Sequence, residues 1–236
     1  MVAVPGPPGN GQEDKRALNR RNAITGLVLA CAGLAASADS QPLLHEPFFG
    51  LLRPRPAPPL VFTYHGWKVD ASRSARGQAA EKTVRLVQAQ LDLVEHVGLK
   101  PEVLSLMRTT PIIVVADNRE TVSYGKSGVV LNARRLDPKK PAALFGLLQA
   151  YLDHGLPGGL ANTDIDRYRL QASGVHVWPK TALMLQTDGD FFGMTAGTYL
   201  VGATTHEPYT RAHLAKTQPG YYQWLAKLFD NGVARR

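Results

Sequence analysis

The spacing of apolar residues changes near residue 140, and this change constrains the fold more than any other feature of the sequence. Before it, apolar and β-branched runs at 60–64, 67–69, 111–116 and 128–132 predict strands. A three-to-four-residue periodicity predicts a long helix over 79–97, with a short helical turn at 103–107. From Pro141 onward the pattern predicts helices at 141–153, 164–172, 189–201, 211–215 and 221–229. A strand-rich first half with a helical second half is typical of an α+β domain.

The first 38 residues have the three parts of a signal peptide. Arg20 and Arg21 close a charged region, an apolar stretch covers 23–35, and residues 36–38 supply a small-x-small cleavage signal. The apolar stretch is too short for a comfortable transmembrane helix. The alternative is a buried helix of the mature fold, which two glycines within the stretch disfavour. We therefore expect export to the periplasm or the extracellular space.

Two features leave the processing of this leader open. The twin arginine indicates export of a folded protein by the twin-arginine route, although the residues after it depart from that consensus. Residues 28–31 resemble a lipobox, in which case Cys31 becomes a lipidated N-terminus that anchors the protein to a membrane. The other outcome is free release after Ala38. Cys31 is the chain's single cysteine, so no disulfide framework is expected in the mature protein.

The rest of the chain divides into a linker and one domain. Residues 39–59 are rich in proline, which favours an extended linker, and the folded domain is expected over 60–236. The formal net charge is +8, but the basic residues are scattered, and no basic run with interleaved aromatics points to nucleic acid. We expect an ordinary solvated basic surface, no nucleic-acid partner, and contact with a membrane only through a lipidated Cys31.

The predicted domain carries several short segments in a particular order. They are Gly66-Trp67-Lys68-Val69, the helix 79–97, the strand 111–116, the helix 141–153, residues 182–200, Pro208-Tyr209-Thr210-Arg211 and Pro219-Gly220-Tyr221-Tyr222. Together, over roughly residues 64–230, they resemble the zincin superfamily, specifically the gluzincin-like domains related to the catalytic domain of anthrax lethal factor. The resemblance implies a zincin-like fold with a small mixed sheet.

The resemblance also locates a zinc site that this chain has altered. Zinc peptidases of this kind need two histidines one helical turn apart, a glutamate base, a later glutamate ligand and a tyrosine near the oxyanion. The relatives' helix reads Leu-Leu-His-Glu-x-x-His-Ala-Tyr, and here Phe145 and Gln149 replace the histidines and Gly146 replaces the base. Asp190 stands at the third ligand and Leu183 at the tyrosine. Phenylalanine and glycine cannot bind zinc, a glutamine amide is a weak ligand, and one carboxylate does not hold the ion. We therefore expect that zinc is lost, with no cofactor and no catalytic residue of the zinc type.

The altered motif favours a non-catalytic pseudopeptidase whose groove binds an unidentified peptide or protein. Two alternatives stay open. The protein is either a divergent hydrolase with a relocated metal at Asp153, His154, His176 and Asp190, or a structural envelope protein anchored at Cys31. Each histidine also has a simpler interpretation as a surface or hydrogen-bonded residue. The candidate cleft residues are Tyr151, Asp153, His154, His176 and Tyr199.

Overall fold

The computed structural model describes residues 59–74, 78–205, 208–230, 232 and 234–235. The predicted leader, Cys31 and all of the predicted linker except Pro59 lie outside the described residues. Within the described part of the chain, no helix is both long enough and apolar enough to cross a membrane.

Five strands form one mixed sheet in the order β1-β2-β3-β5-β4. The central strands β2, β3 and β5 are parallel, and the edge strands β1 and β4 pair antiparallel with their neighbours. The strands are β1 (Val61–Tyr64), β2 (Trp67–Arg73), β3 (Ile112–Val115), β4 (Val122–Gly125) and β5 (Gly128–Asn132).

Seven α-helices are described, and five of them follow the sheet in the chain. They are α1 (Gln78–His96), α2 (Pro101–Met107), α3 (Ala142–Gly155), α4 (Thr163–Gly174), α5 (Asp188–Val201), α6 (Arg211–Thr217) and α7 (Pro219–Phe229). The α+β class is confirmed, as are the small mixed sheet, the long helix of the first half and the helical second half. The expectation that Pro141 is the first helical residue is wrong by one position, because α3 begins at Ala142.

Strand β4 is the one strand that the apolar pattern does not predict. Its four residues include a serine and a terminal glycine, so the segment has no continuous β-branched run. Its pairing depends on the tight connection to β5, in which Gly125 lies opposite Gly128. Gly128 has a positive φ of 106°, and an added Cβ would lie 2.2 Å from the Pro111 carbonyl oxygen. Glycine is therefore required at this turn.

Helix α3 lies at the centre of the domain. It packs against β4 and β5 on one side and against α1, α2 and α5 on the others. Its apolar residues, among them Leu144, Leu147 and Leu148, are fully buried. The helix is apolar nearly all round, which is typical of a core helix. It therefore brings residues 145–154 between the sheet edge and the second-half helices.

Candidate functional site

Helices α3 and α5 approach each other along a row of glycines. Gly189, Gly193 and Gly197 are spaced four residues apart on α5, so they share one face of that helix. A Cβ added at Gly193 would lie 2.9 Å from the Phe145 carbonyl oxygen, and one at Gly197 would lie 2.6 Å from Cδ1 of the Phe145 ring. Such distances leave no room for a side chain. The four-residue spacing of these glycines is visible in the sequence and indicates that another helix approaches closely. This contact is not among the expectations from the sequence.

The position of the catalytic base in the resemblance is also filled. A Cβ added at Gly146 would lie 2.7 Å from Cγ1 of Val129 and 2.8 Å from Cγ2 of Val122. Those two valines belong to β5 and β4, so the sheet edge rests directly on the backbone of α3 at this point. A glutamate at residue 146 has no space in this arrangement.

Gln149 and Asp190 are joined by a hydrogen bond across the α3–α5 contact. The Gln149 side-chain amide donates to Oδ1 of Asp190 at 3.1 Å. The other carboxylate oxygen of Asp190 accepts from the Thr187 hydroxyl at 2.7 Å, and that hydroxyl accepts from the Asp190 backbone N–H at the start of α5. The two positions that the resemblance assigns to a histidine and a carboxylate ligand therefore meet, but they satisfy each other.

Leu183 differs from this packed region because its side chain is exposed. It begins a short 3₁₀ turn over Leu183–Leu185, and 68 % of its surface is exposed. A large exposed apolar side chain offers no hydrogen bond to an oxyanion.

A second group of polar side chains lies near the carboxyl end of β4. It consists of Tyr124, Asp153 and His154, and we call it the Tyr124 cluster. The Tyr124 hydroxyl donates to Oδ2 of Asp153 at 2.7 Å and lies 2.9 Å from Nε2 of His154. Burial raises the pKa of Tyr124 well above its usual value, and the hydrogen bond to Asp153 raises it further. Tyr124 is therefore a neutral phenol that holds the carboxylate and the imidazole in place. Asp153 and His154 are candidate residues from the sequence, whereas Tyr124 is not among those candidates.

Two adjoining clefts follow the open side of β4. The first, of about 320 Å³, is lined by residues that include Ser123, Gln149 and Asp190. The second, of about 590 Å³, is lined by the Tyr124 cluster together with residues of the β4–β5 turn. Tyr124 and Leu160 line both clefts. We call the two together the β4 groove.

Tyr151 and Tyr199 do not line a cleft, which corrects the expectation from the sequence. Tyr199 is fully buried, and its hydroxyl donates to Asp230. Burial, followed by this hydrogen bond, raises the pKa of Tyr199 to about 12. Tyr151 is 8 % exposed and packs against Phe229, with ring centroids 6.2 Å apart. Both rings belong to the hydrophobic core.

His176 lies outside the β4 groove lining, in the turn that ends α4. It is exposed and has a positive φ of 53°, while the Val177 N–H donates to the Ala172 carbonyl at 3.2 Å. This is the hydrogen bond of a Schellman-type helix end, where a left-handed residue is required. The residues described contain no group of three or more His, Cys, Asp and Glu that could hold a metal ion. The structure therefore does not assemble the relocated metal site from Asp153, His154, His176 and Asp190.

Replacing His176 by glycine is expected to raise the free energy of unfolding by about 0.5–1 kcal/mol, because glycine adopts the left-handed conformation without steric cost. Urea unfolding followed by circular dichroism measures the change. Val175→Gly is the matched control. Val175 is also exposed but has a φ of −94°, so glycine there relieves nothing and lowers stability. A loss of stability in His176→Gly would contradict the helix-end role.

No protein-family model, curated protein sequence or solved structure matches this chain.

Proposed function

We propose that the protein is an exported, catalytically inactive metallopeptidase-like protein that binds an extended peptide or protein segment in the β4 groove. The observation that carries the proposal is the packing at the altered zinc positions. Phe145 fills the space beside Gly197, and the valines of the sheet edge fill the space beside Gly146. Side chains that fill space in this way stabilise a fold rather than activate water.

The remaining polar groups at these positions do not suit zinc hydrolysis. Catalytic zinc needs three protein ligands from nitrogen, sulfur or carboxylate groups and an open position for water. Here a neutral amide and one carboxylate remain, and each is already a partner of the other. A carboxylate held by two hydrogen-bond donors gives up part of its capacity to bind a metal ion.

Strand β4 offers backbone hydrogen bonds to a partner. The Thr121 carbonyl accepts from the Asn132 N–H at 3.0 Å, which makes Thr121 and Asn132 a hydrogen-bonded pair position of the hairpin. In an antiparallel ladder such pairs alternate, which turns Ser123 and Gly125 toward β5. The N–H and C=O groups of Val122 and Tyr124 then point to the open side, where no described strand pairs with β4. An extended peptide can add to this edge.

The β4 groove can also hold side chains of such a peptide. Glu120, Asp188 and Asp190 line its first cleft. Asp188 pairs with Arg169, and Asp190 accepts from Gln149 and Thr187, so Glu120 is the carboxylate of this cleft that stays open to a ligand. In the second cleft, which Lys126 also lines, Oδ1 of Asp153 makes no hydrogen bond with a described residue. Carboxylates along an open strand edge favour a peptide that carries Lys or Arg.

Hydrogen exchange tests this function directly. Short peptides selected on the protein from a random display library are added, and amide exchange is followed with and without peptide. We expect slower exchange at Val122 and Tyr124, with the peptide recovered uncut. The matched control is the opposite sheet edge, where the pairing of Leu60 with Ala71 turns the amides of Val61 and Thr63 outward. Protection at β1 instead of β4, failure to select any peptide, or cleavage of the peptide would each contradict the proposal.

Export is the second half of the proposal and depends on the sequence of the leader. The test is mass spectrometry of the N-terminus of the protein recovered from the producing cell. Release gives a chain that begins at Asp39, whereas anchoring gives a diacylglyceryl group on Cys31. Recovery of the intact 236-residue chain from the cytosol would contradict export.

A further inference from the structure

One end of the domain collects basic side chains that are far apart in the sequence. Strands β2, β3 and β5 run parallel, so their carboxyl ends lie at the same end of the sheet. Two backbone hydrogen bonds fix the alignment, from Ala116 N–H to the Arg73 carbonyl and from Ala133 N–H to the Val115 carbonyl. Each of the three strands is followed within a few residues by arginine.

These arginines are exposed. Arg73 ends β2, Arg119 follows β3, and Arg134 and Arg135 follow β5, all with exposed side chains. Asp117 lies 3.8 Å from Arg134, and the exposed Glu120 follows Arg119, so two carboxylates offset part of the charge of the four arginines and a net positive charge remains. The parallel arrangement of the strands therefore brings arginines that are far apart in the sequence to one end of the sheet.

The loop from β5 to α3 extends the patch along α1. It carries Lys139 and Lys140, both exposed, and its Pro138 lines a depression of about 420 Å³ shared with Lys82 and Arg85 of α1. Glu81 also lines this depression and pairs with Arg85. We call these cations the basic end: Arg73, Lys82, Arg85, Arg119, Arg134, Arg135, Lys139 and Lys140. Its segments at 79–89, 116–121 and 133–140 contain no aromatic residue.

A buried glutamine holds this loop in place. Gln90 is fully buried on α1, and its side-chain amide donates to the carbonyls of Asp137 at 2.7 Å and Lys140 at 2.8 Å. Its side-chain oxygen accepts from the Ala143 N–H at 3.1 Å. Two of these hydrogen bonds hold the loop backbone and the third holds the first turn of α3, so Lys139 and Lys140 project from a rigid base.

The described chain also begins at the basic end. The Leu60 carbonyl accepts from the Ala71 N–H at 2.7 Å, and Ala71 lies two residues before the end of β2. The amino-terminal end of β1 therefore lies at the same end of the sheet as the arginines.

From this placement we propose that the basic end binds the anionic headgroups of a phospholipid membrane. A rigid cluster of cations gains roughly 1 kcal/mol per Lys or Arg near an anionic lipid surface. The absence of aromatic residues in its segments disfavours stacking on nucleic-acid bases. The inference does not depend on peptide binding, because none of the cations of the basic end lines the β4 groove. Glu120 lines the groove and lies beside Arg119, but it takes no part in the lipid argument.

Vesicle co-sedimentation tests the proposal with the full chain. Phosphatidylcholine vesicles are compared with vesicles that also contain phosphatidylglycerol. The leader carries its own cations, Arg20 and Arg21 among them, so the proposal is judged by the difference between variants that all carry the same leader. We expect tighter binding to the anionic vesicles, and loss of this preference when salt is raised from about 0.1 M to about 0.5 M. Replacing Arg134, Arg135, Lys139 and Lys140 by alanine should weaken binding to anionic vesicles at least about tenfold.

The matched control removes the same number of exposed cations from the helical second half, at Arg167, Lys180, Lys216 and Lys227. That variant should keep most of the preference for anionic vesicles. If circular dichroism shows that the fourfold variant of the basic end is unfolded, the Lys139→Ala, Lys140→Ala pair replaces it. Equal losses in the two sets, no preference for anionic vesicles in the wild type, or binding to DNA without binding to vesicles would overturn the inference.

Discussion

Replacing Gly146 by alanine is expected to lower the free energy of unfolding by about 1–3 kcal/mol. Glycine in the interior of a helix ordinarily costs about 0.5–1 kcal/mol relative to alanine, so the usual effect of this substitution is stabilising. Here the new methyl group would lie 2.7 Å from Val129 and 2.8 Å from Val122. Since both valines are anchored in the sheet, the collision outweighs the gain in helix propensity.

Denaturant unfolding measures this change, and another helical glycine supplies the control. Gly220 lies in the first turn of α7, and an added Cβ there meets nothing within 4 Å. Gly220→Ala should therefore be neutral or stabilising by roughly 0.5 kcal/mol. A Gly146→Ala protein as stable as the control would show that space for a side chain exists at the position of the catalytic base, and it would weaken the packing account.

Replacing Gly197 by alanine should cost about 1–3 kcal/mol, because the added methyl group overlaps Cε1 and Cδ1 of the Phe145 ring. The cost should fall to near zero in a Phe145→Ala background, where the overlapping ring is gone. The double-mutant cycle thus predicts a coupling energy above about 1 kcal/mol between the two positions.

The double-mutant cycle distinguishes a specific contact between residue 197 and Phe145 from a nonspecific loss of stability. If Gly197→Ala costs the same with and without Phe145, the two residues do not compete for one space, and Phe145 does not fill the altered zinc position. If Gly197→Ala is stabilising on its own, α3 and α5 are farther apart than described.

The sheet and most helices follow from apolar spacing because a buried element must present a continuous apolar face. The strands at 112–115 and 128–132 and the helices α1 and α5 are examples, since each is rich in residues that the core buries. Strand β4 fails this test because it is short and lies at an edge. Its position depends on a turn and on packing with α3, and neither is visible in a window of local sequence.

The candidate site shows the same limit. That Phe145, Gly146 and Gln149 differ from zinc ligands is clear from residue type alone, but only the fold shows that valines from the sheet fill the space. Tyr199 is a candidate cleft residue from the sequence, although Phe192 and Tyr199 lie seven residues apart on α5, a spacing that indicates a shared buried face. The helix-end role of His176 is not visible in the sequence, because glycine is the usual residue at a left-handed helix end.

The central claim is that the positions around α3 that the resemblance assigns to zinc ligands do not form a zinc site. The most direct test is the zinc content of the purified protein after dialysis against trace zinc, measured by elemental analysis. Phe145, Gly146 and the Gln149–Asp190 pair predict a content far below one zinc per chain. One tightly held zinc per chain that survives dialysis would contradict the account and would favour the hypothesis of a metallohydrolase.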